Sequence, residues 1–530
     1  MDLKIILYMC NWGPHAAYQT LMDRLAEIPA SIKMVRIPCS GRISKALLFK
    51  PFEMGADGVA LVGCNSGACQ YGMGTSSAHA NASDTREILN LLGLDADRLR
   101  LGTFGPDEHD GLLAFLSDFA NRVSELGKSP VRPPERGRLM LDYAPMVREA
   151  AAKHQVHVCQ DCGKCSGACP LTVSGKPFSP RAIAHAVITG DMANPVVTEH
   201  VWSCLTCGVC YERCPSAVNF PEFVRDVRHA LSRAGRNGHE VHGGFFQSLS
   251  RTMTSPDLPI RHWDWLPDDI VRDQTSKVLY FGGCAPYFDV FFGNHLGVKT
   301  RAILADGLRL LNFFDIHPAL LDDERCCGHD LLWSGDRDNF EKLARLNVER
   351  IHDMGVEEVV VGCPEGYRTL VHDYPAQGIE CNFKVTYLLD LLEREIDKGA
   401  VGFDALDKNI TFQDPCRMSR LEGRPDIPRK LLARLNGNGD GKGFVEMRDR
   451  GANGMCCGNC AWSSCDAYSK AMQKERLRQA AESGGDLLVT SCPKCQIHLT
   501  CSMKDPFLVD SLKMEVSDIV TVLAKAIQWE

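Results

Sequence analysis

CQDCGKCSGACP at 159–170 and CLTCGVCYERCP at 204–215 repeat one spacing, C-x2-C-x2-C-x3-C-P, and they set the reading of the whole chain. The chain has 530 residues and 25 cysteines, so the first question is what so many thiols do. Disulfide frameworks belong to small secreted domains, whereas tight cysteine spacings in a large chain are metal sites or reactive thiols. The opening MDLKIILYMC has neither a basic region nor a small-residue cleavage site. No apolar run reaches the roughly eighteen residues that a membrane span needs. A cytoplasmic chain without a membrane span is expected. With 45% hydrophobic and 24% charged residues the composition is globular, and the length suits about three or four domains. A net charge of -8 with no lysine or arginine block argues against a nucleic-acid partner, because phosphate binding needs a basic patch.

The repeated run is the one in which three closely spaced thiolates grip one iron–sulfur cubane and the fourth cysteine crosses to the other. Cys159, Cys162 and Cys165 with Cys214 are therefore expected to hold one [4Fe-4S] cluster. Cys204, Cys207 and Cys210 with Cys169 are expected to hold the second. Structural zinc is the competing reading, since C-x2-C pairs also make zinc knuckles, but zinc sites use two pairs and not two full runs each closed by proline. Segments such as SPRAIAHAVITG between the runs read as helix, so 139–233 is expected to be a helical domain.

Upstream, the apolar runs LKIILYM (3–9), KMVRI (33–37) and GVALVG (58–63) alternate with helical patterns, which predicts a βαβ sheet. Each run leads into a cysteine. Cys10, Cys39 and Cys64 should converge at the carboxyl edge of a parallel sheet, with Cys69 one loop later. A flavodoxin-like domain with buried free thiols is the bland alternative. The stretch KSPVRPPERGR (128–138) and the segment from about 234 to 274 read as linkers. Downstream, Cys284, Cys326–Cys327 and Cys363 recur as Cys416, Cys456–Cys457 and Cys492 at similar spacings, which predicts a duplicated α/β unit.

Three resemblances follow from these motifs. The middle domain resembles the α-helical two-cluster ferredoxin that forms the C-type chain of heterodisulfide reductase. The duplication across 276–505 resembles the paired cysteine-rich CCG domains of the B-type chain of the same family. That resemblance implies that Cys416, Cys456, Cys457, Cys492 and Cys495 bind a noncubane [4Fe-4S] cluster that cleaves a disulfide. The first copy departs from the pattern, because CPEG places Gly366 where CPKC has Cys495. Cys284, Cys326, Cys327 and Cys363 leave a further [4Fe-4S] cluster, a substituted ligand or a degenerate site open there. The segment CSGRISKALLFKPFEMGADGVALVGCNSGACQYGMG (39–74) resembles the delta subunit of methyl-viologen-reducing hydrogenases. This implies a [2Fe-2S] cluster on Cys10, Cys39, Cys64 and Cys69, although Gly13 stands where that family often has another cysteine.

The expected fold is thus an α/β domain over 1–127, the helical ferredoxin domain over 139–233, and α/β CCG domains over 275–400 and 401–530. No dinucleotide fingerprint or P-loop lysine is present, so electrons must enter from a partner. The resemblance implies a flavin-containing partner like the A-type chain of heterodisulfide reductase, or a hydrogenase or dehydrogenase module. A small disulfide is the implied substrate, and a pure electron-transfer subunit is the other reading. Cys381, Cys460, Cys465 and Cys501 read as core thiols. His329, His498 and Trp12 read as groups that support neighbouring ligands.

Overall fold

The computed structural model describes residues 3–134, 139–399, 401–435 and 442–529 and separates into two compact units. The end of the first linker, 135–138, lies outside the described residues. One unit contains Met1–Arg136 with His242–Asp264 and Asp322–Arg325, and the other contains the remainder.

The first unit is built on a parallel sheet of order β2-β1-β3-β4, from β1 (Ile5–Cys10), β2 (Ile32–Ile37), β3 (Gly58–Gly63) and β4 (Leu99–Thr103). Ile5 lies opposite Ile32 on one side and Gly58 on the other. Strand β3 is buried along its whole length, as a continuous apolar run in an interior parallel strand should be. Strand β4 is absent from the sequence reading. Only Leu99 of it is fully buried, and Arg100 and Gly102 break the apolar run, which an edge strand tolerates.

The segment read as the second linker is not all linker. Phe245–Thr252 forms a buried helix that packs on the helix Lys45–Glu53, with the rings of Phe49 and Phe245 5.3 Å apart. Glu53, 1% exposed, accepts from Arg251 at 2.7 Å and from Lys50 and Ser248. The helix Gly74–Leu91 starts against the 3-10 turn Ser40–Arg42. A Cβ on Gly74 would lie 2.6 Å from the Cys69 sulfur and 2.8 Å from that of Cys39, so only glycine admits this approach.

In the second unit no strand falls between 139 and 233. Helices Ala144–Lys153, Pro180–Ile188 and Phe220–Arg233 enclose Val147, Ile183, Phe223, Val224 and Val227. The Ser179 hydroxyl caps the second of these by accepting from the Ala182 amide. The duplication appears as two parallel three-stranded sheets. One runs β5 (Val278–Phe281), β6 (Glu358–Val361), β7 (Lys384–Tyr387) in that order, and the other runs β10 (Glu515–Asp518), β9 (Leu487–Thr490), β8 (Ile410–Gln413). Strands β6 and β9 occupy the same central place, and β5, β6, β8 and β9 each end two or three residues before a cysteine. Helices Arg337–Asp353 and Ala467–Glu482 follow the two Cys-Cys pairs. Among the described residues no helix is long and apolar enough to cross a membrane.

Two outcomes are expected from the first unit. Gly74→Ala should displace the sulfurs of Cys39 and Cys69, so that both react at changed rates with an alkylating reagent while circular dichroism is unchanged; unaltered reactivity would show that the glycine is not needed. Burial alone would raise the Glu53 carboxyl, but Arg251, Lys50 and Ser248 together hold it below its ordinary value. Its contribution is therefore present above the unfolded glutamate range and is lost as pH falls through the lowered native value. Glu53→Ala should cost about 3 kcal/mol in urea unfolding near neutral pH, since it breaks a buried ion pair, with the deficit shrinking in acid.

Candidate iron–sulfur sites

Every described cysteine is a free thiol. In the first unit the parallel strands deliver Cys10, Cys39 and Cys64 to one sheet edge. The sulfurs of Cys10 and Cys64 are 3.7 Å apart, and those of Cys39 and Cys69 share a hydrogen bond. Burial pushes the Cys64 thiol up to about 11, whereas backbone N–H groups of Tyr71, Gly74 and Thr75 bring Cys69 below the ordinary thiol value. The edge thus holds four converging sulfurs, three of them served by backbone amides as metal-bound thiolates would be: Cys39 by Gly41, Cys64 by Gly13, and Cys69. Trp12 lies edge-on to Tyr71 at 6.2 Å and is 42% exposed.

In the middle region both C-x2-C-x2-C loops take the same backbone path. Asp161 and Thr206 have φ of 53° and 44°, and Gly163 and Gly208 have φ of 77° and 85°. Left-handed residues placed between the cysteines curl successive N–H groups inward, the arrangement that receives anionic centres. The Thr206 amide donates to the Cys204 sulfur at 3.4 Å, and the Val218 amide donates to Cys214 at 3.4 Å. Cys169, Cys204, Cys207 and Cys210 line one cavity with Leu171, Phe178 and Val209. Burial pushes the Cys204 thiol up to about 12, and burial plus the neighbouring thiolates pushes Cys210 far up. Cys165 lies near Cys159 and Cys214, while Cys162 is exposed.

In the second cysteine-rich copy the sulfurs form an unbroken series. Cys456 contacts Cys416 and Cys457, Cys457 contacts Cys495, and Cys495 contacts Cys492. In the first copy Cys284 contacts Cys326, Cys326 contacts Cys327, and Cys363 lies near Cys327. Gly366 contributes no sulfur, and a Cβ there would meet Val361 Cγ1 at 3.1 Å. These sets adjoin one another. Cys165 lies near Cys210, the thiols of Cys207 and Cys456 share a hydrogen bond, and Cys492 lies near Cys363. The hydrogen bond from Cys456 is the main reason that the Cys207 thiol falls to about 6. Unneutralised thiolates this close in a dry interior would repel strongly, so a cationic centre bridging them suits the donor sets.

The supporting groups differ from the sequence reading. His498 is where it is expected, with Nδ1 3.4 Å from the Cys457 sulfur. His329 instead contacts Asp330 at 3.0 Å and Glu365 at 3.5 Å and accepts from Arg417 Nε at 3.1 Å. His329, Asp330 and Glu365 could together hold a cation, but the ammonium of Lys494 is already paired with both carboxylates, 2.6 Å from Glu365. Glu365 and Lys494 occupy the same position in CPEG and CPKC. Aligning the two copies would have revealed the pair as opposite charges at equivalent sites. Cys460 is buried as expected, yet its sulfur is 3.0 Å from Thr206 Oγ1 and accepts from Arg417 Nη2 at 3.1 Å. Cys465 is exposed, and Cys381 and Cys501 are only partly buried, so none of the three is a core thiol.

Comparison with known proteins agrees with this geometry. Residues 5–127 match the family model of the methyl-viologen-reducing hydrogenase delta subunit, 135–218 match a 4Fe-4S dicluster domain, and 278–370 and 410–500 each match the cysteine-rich domain. The D chain of dihydromethanophenazine:CoB–CoM heterodisulfide reductase from Methanosarcina acetivorans is 29% identical over 62% of this chain and 78% of its own length. The Methanosarcina barkeri counterpart is 26% identical over 70% of this chain and 94% of its own. The B chain of fumarate reductase (CoM/CoB) from Methanothermobacter marburgensis is 25% identical over 68% of this chain and 71% of its own. The chain is therefore an iron–sulfur protein that joins a hydrogenase delta-subunit domain to a 4Fe-4S dicluster domain and a duplicated cysteine-rich domain, with relatives among the D-type subunits of heterodisulfide reductase.

Proposed function

We propose that the chain is an electron-transfer subunit of a heterodisulfide-reductase-like complex, and that its second cysteine-rich copy reduces a disulfide. The observation that carries this reading is the continuous order of sulfur sets in the second unit, Cys165 to Cys210, Cys207 to Cys456 and Cys492 to Cys363. We divide the chain into domains at 1–127, 139–233, 275–400 and 401–530.

Cys10, Cys39, Cys64 and Cys69 would hold a [2Fe-2S] cluster. Cys159, Cys162, Cys165 and Cys214 would hold one [4Fe-4S] cluster, and Cys169, Cys204, Cys207 and Cys210 would hold another. Cys416, Cys456, Cys457, Cys492 and Cys495 would hold a noncubane [4Fe-4S] cluster, and Cys284, Cys326, Cys327 and Cys363 a four-thiolate one. Such centres, when bound, supply one-electron transfer, and two electrons with two protons convert a disulfide into two thiols. The protein's part is to space the sulfurs, exclude water and orient hydrogen bonds. Exposed Cys162 suits entry of electrons from a partner, and the buried sets beyond it are shielded from solvent. His498, against Cys457 and Asn459, orients the second copy's ligands, with its Nδ1 3.4 Å from the Cys457 sulfur. The partner would be a flavin-containing protein or a hydrogenase or dehydrogenase module, and the chain would work in the cytoplasm, whose reducing conditions keep closely spaced cysteines available as metal ligands.

Gly366 favours a second reading, in which the chain passes electrons to another oxidoreductase and reduces no disulfide itself. The Lys494 pair with Asp330 and Glu365 lies beside this incomplete copy, which suits a relay as well as a catalyst.

Anaerobically purified protein should contain about 14 to 18 irons with matching sulfide, the upper value if the first copy is filled; stoichiometric zinc with little iron would end the electron-transfer reading. Cys495→Ser should abolish the second copy's EPR signal and disulfide reduction while both ferredoxin-type signals remain. Loss of disulfide reduction from the start, with full iron and intact electron transfer, would select the relay.

A further inference from the structure

Three arginines surround the loop that carries Cys204 and Cys207, and none of them contacts a carboxylate among the described residues. Arg228 Nη2 donates to the carbonyls of Val201 and Trp202 at 3.1 Å each and of Cys204 at 2.5 Å, and its Nη1 donates to Trp333 at 2.9 Å. Arg417 donates through Nη1 to the Thr206 carbonyl at 2.6 Å and through Nη2 to Thr206 Oγ1 at 3.0 Å. Arg420 Nε donates to the Cys207 carbonyl at 2.6 Å. All three are buried, at 0%, 2% and 3% exposure.

Two other buried arginines of this unit are neutralised by acids, whereas Arg476 donates to Gln413, Gln479 and the carbonyls of Asp449 and Phe412, with no carboxylate pair among the described residues. Arg225 pairs with Asp226 and Asp373 at 3.1 Å, and Arg368 pairs with Glu222 and Glu422 at 2.7 Å. A buried cation without such a partner is costly unless an anion lies close. Here sulfurs lead among the nearby anions: those of Cys204 and Cys460 for Arg228, those of Cys460 and Cys416 ahead of Glu365 and Asp373 for Arg417, and those of Cys207, Cys416 and Cys456 ahead of Asp414 for Arg420. The Arg228 Nε and Arg420 Nη2 atoms have no protein acceptor among the described residues. By occupying the loop carbonyls, the guanidinium groups also leave its amides free to face sulfur, as the Thr206 amide does toward Cys204.

The Cys159, Cys162, Cys165 and Cys214 set has no comparable surroundings. Cys162 is exposed, and Arg181 beside this loop is half-exposed and 3.7 Å from Asp161. Burial alone would make the Cys204 set the harder to reduce, because an added negative charge is disfavoured in a low dielectric. The same low dielectric strengthens the attraction of three guanidinium groups for that charge.

Building on the electron-relay reading above, we propose that Arg228, Arg417 and Arg420 set the direction of transfer by making the Cys169, Cys204, Cys207 and Cys210 centre the more easily reduced of the two ferredoxin-type centres. One electron then passes from the exposed set to this set and leaves toward Cys456, with no proton bound or released by the arginines.

The test is an EPR-monitored redox titration of the whole, cluster-loaded chain, with Cys162→Ser used to identify the exposed centre. The buried centre should be reduced first. Arg420→Gln should lower its midpoint by at least about 59 mV, a tenfold change in a one-electron equilibrium, and Arg420→Lys should largely restore it. The exposed centre's midpoint should not move. Arg228→Gln gives a second measurement, with iron and sulfide per chain reporting intact sites, and the wild-type order is read without any arginine variant. Reduction of the exposed centre first, or an unmoved buried midpoint in iron-replete variants, overturns the proposal and leaves the relay standing. Absence of both [4Fe-4S] signals in the wild-type chain removes the relay itself and the proposal with it.

Discussion

Crowding sulfur anions together in a dry interior is the constraint on which the rest of this structure depends. Two unit charges 4 Å apart repel by about 4 kcal/mol even at an effective dielectric of about 20, and the second cysteine-rich copy alone brings five cysteines into one connected set. Positive charge has to be supplied by iron, by amide dipoles and by guanidinium groups. The left-handed residues Asp161, Thr206, Gly163 and Gly208 supply amides. Arg228, Arg417 and Arg420 supply cations, and the glycine that starts the helix Gly74–Leu91 supplies close approach at the carboxyl edge of the first sheet.

The duplication shows how equivalent positions diverge under that constraint. CPKC and CPEG begin from the same strand end, yet the second copy keeps a cysteine where the first has Gly366. The residue before it is Lys494 in one copy and Glu365 in the other, and the two meet 2.6 Å apart with Asp330 alongside. A buried acid pair that could have held a metal is thereby closed by an internal ammonium. The two copies are tied by charge as well as by the approach of Cys363 to Cys492. Asp330 and Cys460 likewise lie just beyond the two CCG turns, one bonded to Lys494 and the other to Arg417.

Much of this is legible in the chain alone. Strands β1, β2 and β3, the helical middle and the paired α/β copies all follow from period, composition and recurrent spacing. Strand β4 escapes that reading because a half-exposed edge strand needs no apolar run. The buried helix Phe245–Thr252 escapes it because glycines and histidines precede the helix and a Trp/Pro/Asp-rich stretch follows, a composition that resembles a linker. Cys465 reads as a core thiol and is exposed, since a single cysteine carries no information about its own burial.

What the sequence determined by itself is local: within each C-x2-C-x2-C loop, chain connectivity holds the sulfurs a few residues apart, and the glycine after the second cysteine supplies the turn. What only the tertiary structure decided is which sets touch. The meetings of Cys207 with Cys456 and of Cys492 with Cys363 join residues far apart in the chain. Arg417 and Arg420 reach a loop more than two hundred positions away, through contacts that packing creates and no spacing encodes. Spacing reveals ligands because covalent geometry limits their reach; the charges around a site are free to come from anywhere, and folding alone brings them there.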